Sequence, residues 1–219
     1  MSLYRRACAE ALGTAFLLAA VVGSGIMGVR LAAGNTAIAL LANSLATGFA
    51  LVALIVAFGA RSGAHFNPLV TVALAWSGKF PKRDVPVYVA GQFIGALVGV
   101  VAAHAMFELP LVQAADTART GAAQWWSEIV ATFGLVFLVL GFTRRDAWVA
   151  PFAVGGYIAA AYWFTASTSF ANPAVTLARS FTATFSGIAA GDVVAFMLAQ
   201  CAGTLLAVAA HRFLDPAGR

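Results

Sequence analysis

Two asparagines, Asn67 and Asn172, each precede a proline and stand 105 positions apart in matching surroundings. One segment reads Ser62-Gly-Ala-His-Phe-Asn-Pro-Leu-Val-Thr-Val-Ala-Leu74, the other Ser167-Thr-Ser-Phe-Ala-Asn-Pro-Ala-Val-Thr-Leu-Ala-Arg179. Proline at the first helical position loses no hydrogen bond that the helix needs, and asparagine before it caps the exposed amides. Each segment therefore starts a short helix, with a carboxamide that can donate to a neutral oxygen at its N-terminus.

Other polar residues repeat with the asparagines. Glu10-Ala-Leu-Gly-Thr14 matches Glu128-Ile-Val-Ala-Thr132, and Gln92-Phe-Ile-Gly95 matches Gln200-Cys-Ala-Gly203. Carboxylates inside apolar stretches are expensive and need partners. Glu10 and Glu128 could carry protons, but their symmetric placement fits better with accepting backbone amides from the Asn-Pro segments, with Gln92 and Gln200 holding helix contacts. His65 could titrate near neutrality and gate a passage, or fix the loop ahead of Asn67 by hydrogen bonding. His104 and His211 are too isolated for a metal site. Neither a nucleophile beside a base nor a phosphate-cradling glycine loop is present, so the pattern implies no enzyme, metal or cofactor.

These residues sit in a chain of 219 residues, 62% hydrophobic and 10% charged, with mean hydropathy +0.89. Soluble domains carry about 25% charged residues, so lipid must take up much of this apolar surface. The net charge of +5 does not point to nucleic acid, because the basic residues cluster at the ends of apolar segments. Cys8 and Cys201 fall in or beside spans and read as small buried thiols. The N-terminal apolar run is too long for a cleavable signal.

A helix needs about 20 apolar residues to cross a bilayer. Six stretches qualify: 8–29, 36–59, 84–107, 126–143, 147–166 and 192–213, the fourth ending at Arg144-Arg145-Asp146. Two more, 67–77 and 172–182, are too short to cross and begin with Asn-Pro. The expected fold is an all-α membrane protein, a single domain over 1–219 whose halves span about 1–108 and 122–219. Three spans per half force the second half to be inverted, and broken helices in inverted repeats point to a site at mid-membrane. The two half-helices then present their N-termini to one pore for small neutral molecules. With both termini inside, ten basic residues fall on the cytoplasmic side, Arg144, Arg145 and Arg219 among them, and three outside. Trp125, Trp126 and Trp148 read as interface anchors.

This organisation resembles the aquaporins, or major intrinsic proteins, over nearly the whole chain. The resemblance rests on the two Asn-Pro segments, the Glu-x-x-x-Thr pair and the six-plus-two layout. It implies a homotetramer in a lipid bilayer with one pore per protomer, passing water and small neutral solutes. Two positions depart from the family pattern: Leu69 replaces the usual alanine, and Val175 stands where the family has arginine, directly after Ala174. The second segment resembles bacterial aquaglyceroporins of the AqpS type, associated with arsenic resistance, which implies the inner membrane of a bacterium.

The resemblance also implies where selectivity lies. Asn67, Asn172, Leu69 and Ala174 would form the pore centre. Thr47, Ser169 and Val175 would form the constriction, with either Tyr162 or Ala160 from the fifth span. Without the family arginine this ring is wide and weakly polar, which suits glycerol or arsenous acid better than a water-only filter. Arg179, four residues after Val175, shares its helix face and either lines the outer vestibule or pairs with loop carbonyls. A secondary transporter and a non-conducting adhesive membrane protein are the rival readings.

Overall fold

The structure is a computed structural model and describes residues 1–142 and 148–215. Among the described residues there is no strand. Eight α-helices follow in order: α1 Leu3–Leu31, α2 Thr36–Ser62, α3 Pro68–Trp76, α4 Val85–Met106, α5 Ala122–Gly141, α6 Ala150–Phe164, α7 Pro173–Arg179 and α8 Val193–Leu214. Five of the long helical stretches, α1, α2, α5 and those containing α4 and α8, are long and apolar enough to cross a membrane. The remaining expected stretch is occupied by α6, which has 15 residues and is shorter than 147–166 suggested. Its start carries Pro151 in the first turn, and Thr165, in extended conformation, ends it. The boundary expected at Arg144-Arg145-Asp146, and the basic residues Arg144, Arg145 and Arg219, lie outside the described residues.

Local chemistry sets the helix ends. Asn35 caps α2 through Ala37 and Ile38, and Gly63 ends it with φ 94°, a backbone conformation that glycine adopts without penalty. The half-helices α3 and α7 have 9 and 7 residues, so they reach only about 13 Å and 10 Å. The second stops earlier than 172–182 suggested because the chain after it is held by another partner. Ala115 N–H donates to the Ser180 carbonyl and Gln113 N–H to the Phe181 carbonyl, so the 107–121 connection takes carbonyls that a longer helix would use.

The halves are two inverted sets, α1–α4 and α5–α8. Within each, the first long helix packs on the last, α1 on α4 and α5 on α8. Gly91, Gly95 and Gly99 form one stripe on α4, where an added Cβ would lie 2.9, 2.1 and 2.3 Å from the carbonyls of Ala7, Ala11 and Ala15. On α8, Gly203 meets the Ile129 carbonyl of α5 in the same manner, at 2.4 Å. Small residues at membrane helix contacts let backbones approach and gain dispersion where no hydrophobic driving force exists. Between the halves, Gly48 of α2 and Gly155 of α6 each face the other's carbonyl.

The outward faces carry large apolar side chains such as Phe16, Phe49, Ile94, Val194 and Leu205, all exposed, as lipid contact requires. Cys8 and Cys201 are exposed on these faces, which corrects the expectation of buried thiols. Their neighbours Ala7, Ala9 and Gln200 take the inward positions. In lipid, apolar character does not separate an inward face from an outward one.

Candidate functional site

The site is built on two buried carboxylates. Glu10 Oε1 accepts from Ser62 Oγ at 2.6 Å and His65 N–H at 3.0 Å, while its Oε2 accepts from Phe66 N–H at 2.7 Å and Gln92 Nε2 at 2.8 Å. Glu128 repeats the arrangement in the other half. It accepts from Phe170 N–H at 2.9 Å, Ala171 N–H at 2.9 Å and Gln200 Nε2 at 2.7 Å. Gln92 and Gln200 also donate to Thr71 and Thr176 of the half-helices. Each carboxylate thus ties a long helix, a glutamine and a half-helix loop together through charge-assisted bonds.

The loops need that anchoring. Ala64 and Phe66 have φ of 51° and 49°, and Ser169 and Ala171 repeat them at 51° and 48°. Non-glycine residues in this left-handed region cost of order 1–3 kcal/mol each and persist only where the surroundings impose them. Bonds from Phe66 N–H to Glu10 and from Ala171 N–H to Glu128 supply the constraint at the last strained residue of each loop.

The next residues are the asparagines, and they join the loops. Asn67 Nδ2 donates to the Ala171 carbonyl at 2.7 Å, and Asn172 Nδ2 donates to the Phe66 carbonyl at 2.8 Å. Each Oδ1 meanwhile caps its own half-helix, at Leu69 N–H for Asn67 and at Ala174 and Val175 N–H for Asn172. A carboxamide has two donor hydrogens, so one N–H of each asparagine remains. Both side chains line a cavity of about 230 Å³. Leu69 and Ala174 are not among its lining residues; they are buried and contribute their capped amides.

The cavity wall is mainly apolar. Leu17 and Val21 come from α1, Leu51 and Ile55 from α2, Leu135 and Val139 from α5, and Val154 and Ile158 from α6. Val70 and Leu74 of α3 face it as Val175 and Arg179 of α7 do. Water in bulk occupies about 30 Å³ per molecule, so the space suits a short file of small molecules.

Polar groups gather at one end. Thr47 and Tyr162 both line the cavity, and their hydroxyls lie 3.3 Å apart across α2 and α6. Tyr162 is the α6 residue that faces inward, while Ala160 is exposed on the outside of the helix. Ser169 also lines the cavity, buried, with an Oγ that has no hydrogen-bond partner. Arg179 is 2% exposed and stacks on Phe170, its Cζ 3.4 Å from the ring centroid. Its Nε donates to the Ser186 carbonyl, and the side chain also lines the cavity, so a loop contact and a cavity position coexist.

His65, in the loop ahead of α3, also lines the cavity. Its ring packs on Phe80 and Tyr88, and Nδ1 is 3.0 Å from Thr71 Oγ1. Thr71 donates its one hydroxyl hydrogen to the Asn67 carbonyl at 3.0 Å and accepts from Gln92. His65 Nδ1 is therefore the donor in that contact.

Arg119, in the 107–121 connection, was not signalled by the sequence, because this stretch has no periodicity and its basic residue stands alone. Its guanidinium donates to the carbonyls of Gly187 at 2.8 Å, Ser167 at 3.3 Å and Phe185 at 3.5 Å, and lies 4.9 Å from the Phe170 ring. Burial pushes its pKa below the ordinary arginine value, with the charge of Glu128 opposing that shift. His104, buried, bonds the Leu111 carbonyl and Thr182 and so holds the same connection. Among the described residues no three His, Cys, Asp or Glu side chains form a group able to hold a metal.

Comparison with known proteins agrees with this architecture. Residues 1–171 match the family model described as Major intrinsic protein. The chain is 54% identical over 212 residues to Aquaglyceroporin AqpS of Rhizobium meliloti, covering 97% of this chain and 91% of that protein. It is 32% identical to Aquaporin Z of Rhodopseudomonas palustris, covering 95% and 92% of the two chains. The X-ray structure of the aquaglyceroporin from Plasmodium falciparum superposes with a TM-score of 0.76 over 99% of both chains; at 21% identity that likeness bears on the fold alone. With the inverted half-helices joined at Asn67 and Asn172, the chain belongs to the major intrinsic protein family.

Proposed function

We propose that this protein is a passive channel for small uncharged solutes, glycerol and arsenous acid or related metalloid acids among them, together with water. The observation that carries this reading is the pair of reciprocal asparagine bonds. They bring together two helix N-termini, each with roughly half a positive charge, on the wall of one largely apolar cavity. A solute oxygen there meets two free amide hydrogens, while a cation meets positive potential and loses its water without replacement.

Thr47, Tyr162, Ser169 and Val175 form the selectivity constriction in this reading. Valine supplies neither a charge nor a donor, so the narrow region selects by size and by single hydroxyl contacts. Arg179 adds positive potential at that end, and His65 holds the loop at the other. Glu10, Glu128, Gln92 and Gln200 act as structural supports of the two half-helices. The chain is one channel domain with halves of about 1–108 and 122–219. We further propose a homotetramer in a bacterial inner membrane with both termini cytoplasmic. Family membership supports the first of these, and the distribution of basic residues supports the last.

Stopped-flow light scattering of proteoliposomes against water, glycerol, urea and arsenous acid tests the proposal. A flux that rises linearly with the gradient and does not saturate is expected for glycerol and arsenous acid. Vesicles open to water but closed to both solutes make the protein a water filter. Saturable uptake coupled to an ion gradient makes it a transporter.

A further inference from the structure

A second cavity of about 410 Å³ adjoins the first. Thr36, Asn43, Trp163, Arg119 and Arg179 line it, and Arg179 is common to both cavities. Two guanidiniums thus flank Phe170 at the place where the cavities meet. Neither is in an ion pair among the described residues, where the only pairs join Arg6 and Arg83 to Asp84. The carboxylates nearby are committed to amides: Asp192 accepts from Arg119 N–H at 2.7 Å, and Glu128 accepts from Phe170 and Ala171.

The two arginines differ in what they have left to donate. Arg119 has one carbonyl on each of its three nitrogens. Arg179 uses Nε alone, so its two terminal amino groups make no hydrogen bond among the described residues, although the residue is 2% exposed. These terminal groups are open to the two cavities, so an acceptor inside them, water or a bound solute, meets a charged donor fork. Its planar fork matches two oxygens of one anion, a geometry that a spherical halide lacks and that the hydroxyls of a polyol meet without a negative charge.

We propose that this second cavity binds a small inorganic oxyanion, held bidentately by Arg179 in the field of Arg119, and that the bound ion closes the conduction path. The ion stops there. Beyond Arg179 the wall is Leu17, Val21, Leu51 and their neighbours, which offer no replacement for lost water. Uncharged solutes bring no negative charge to the two guanidiniums, are held less tightly and pass. The blocking part of this proposal rests on the channel reading, whereas the binding part does not.

Inorganic phosphate is the probe, present on both sides of the membrane, with potassium chloride replacing it at constant ionic strength. Calorimetry on the purified protein in detergent is expected to show binding of phosphate. Glycerol flux in phosphatidylcholine vesicles is expected to fall as phosphate rises. In Arg179→Gln, the phosphate concentration that halves the flux, measured relative to that variant's own flux in chloride, is expected to rise at least tenfold. Thr36→Asp, which adds a carboxylate to the same cavity, is expected to shift it in the same direction and keeps the test open if the first variant does not fold. Absence of phosphate binding by calorimetry, a glycerol flux that stays level as phosphate replaces chloride, or unchanged inhibition in the variants would overturn the site. Absence of glycerol flux in chloride removes the channel reading instead, and calorimetry then still decides whether the oxyanion binds.

Discussion

The hydroxyls of Thr47 and Tyr162 meet at 3.3 Å on the cavity wall where α2 packs on α6, one from each half of the repeat. Thr47 is 2% and Tyr162 3% exposed, so the pair forms part of the cavity wall on two packed helices, where we place the constriction. Tyr162 contributes the larger volume there. Tyr162→Ala is expected to raise glycerol and urea permeability several-fold with a smaller gain for water. Tyr162→Phe keeps the ring and removes one hydroxyl bond, a loss of about 1 kcal/mol at most where water can replace it; its glycerol flux is expected to stay near that of the parent. Stopped-flow ratios of glycerol to water separate the two variants, and equal ratios in both would remove Tyr162 from the constriction.

Val175 tests the same region from α7. Its N–H sits 3.3 Å from Asn172 Oδ1, so the side chain at this position follows directly on the cap. Val175→Arg puts a guanidinium on the cavity wall, beside the proposed constriction and one turn from Arg179. Both positions are buried, so the added like charge costs more than the few tenths of a kcal/mol of an exposed pair, and folded yield is measured beside flux. Glycerol and arsenous acid flux are expected to fall at least tenfold while water flux is retained. Parallel loss of all three fluxes would mean that the variant blocks the path without selecting.

The sequence carried the residues that break the local pattern. Glu10, Glu128, Gln92 and Gln200 are legible because a polar group in an apolar helix has to be satisfied by something, and Asn67 and Asn172 because Asn-Pro starts a helix. Their repetition in order supplied the pairing. The cavity wall was not legible. Leu17, Val21, Leu51 and Ile55 are apolar residues among apolar residues, and period alone does not say which face meets a cavity and which meets lipid. The same lack of contrast misplaced Cys8 and Cys201. Ala160 and Tyr162 could not be separated by counting, because the length of the loop before Asn172 sets the register and only coordinates show it. Arg119 acts through a connection whose course over residues 180–189 has no sequence signature.

The carboxylates are expected to govern stability ahead of transport. Glu10 accepts four hydrogen bonds, three of them from groups in the loop or at the end of α2. Glu10→Gln replaces one acceptor oxygen with an amide donor that faces the Phe66 or Ser62 donors. Leaving buried donors unsatisfied costs about 1–3 kcal/mol each, and the φ of Phe66 loses its constraint. A clear fall in melting temperature and in folded yield is expected for Glu10→Gln. Glu128→Gln should behave alike, since it accepts three. Thermal melting monitored by fluorescence in detergent checks this. A variant as stable as the parent would show that the loops hold without the carboxylate.

His65 offers a choice between gating and support that one substitution resolves. Its Nδ1 donates to Thr71 of α3 and its backbone N–H donates to Glu10 of α1, so the residue ties the loop to both helices. Asparagine places an amide nitrogen close to the position of Nδ1, whereas leucine offers no donor. If His65 is a support, His65→Asn keeps most of the glycerol flux and His65→Leu lowers both melting temperature and flux. Flux of the parent is then level between pH 5 and pH 8, because Thr71 already has its acceptor capacity filled by Nδ1–H and Gln92, and protonation at Nε2 leaves both bonds in place. A flux that changes steeply over this range in the parent, and is level in His65→Asn, would make the histidine a gate.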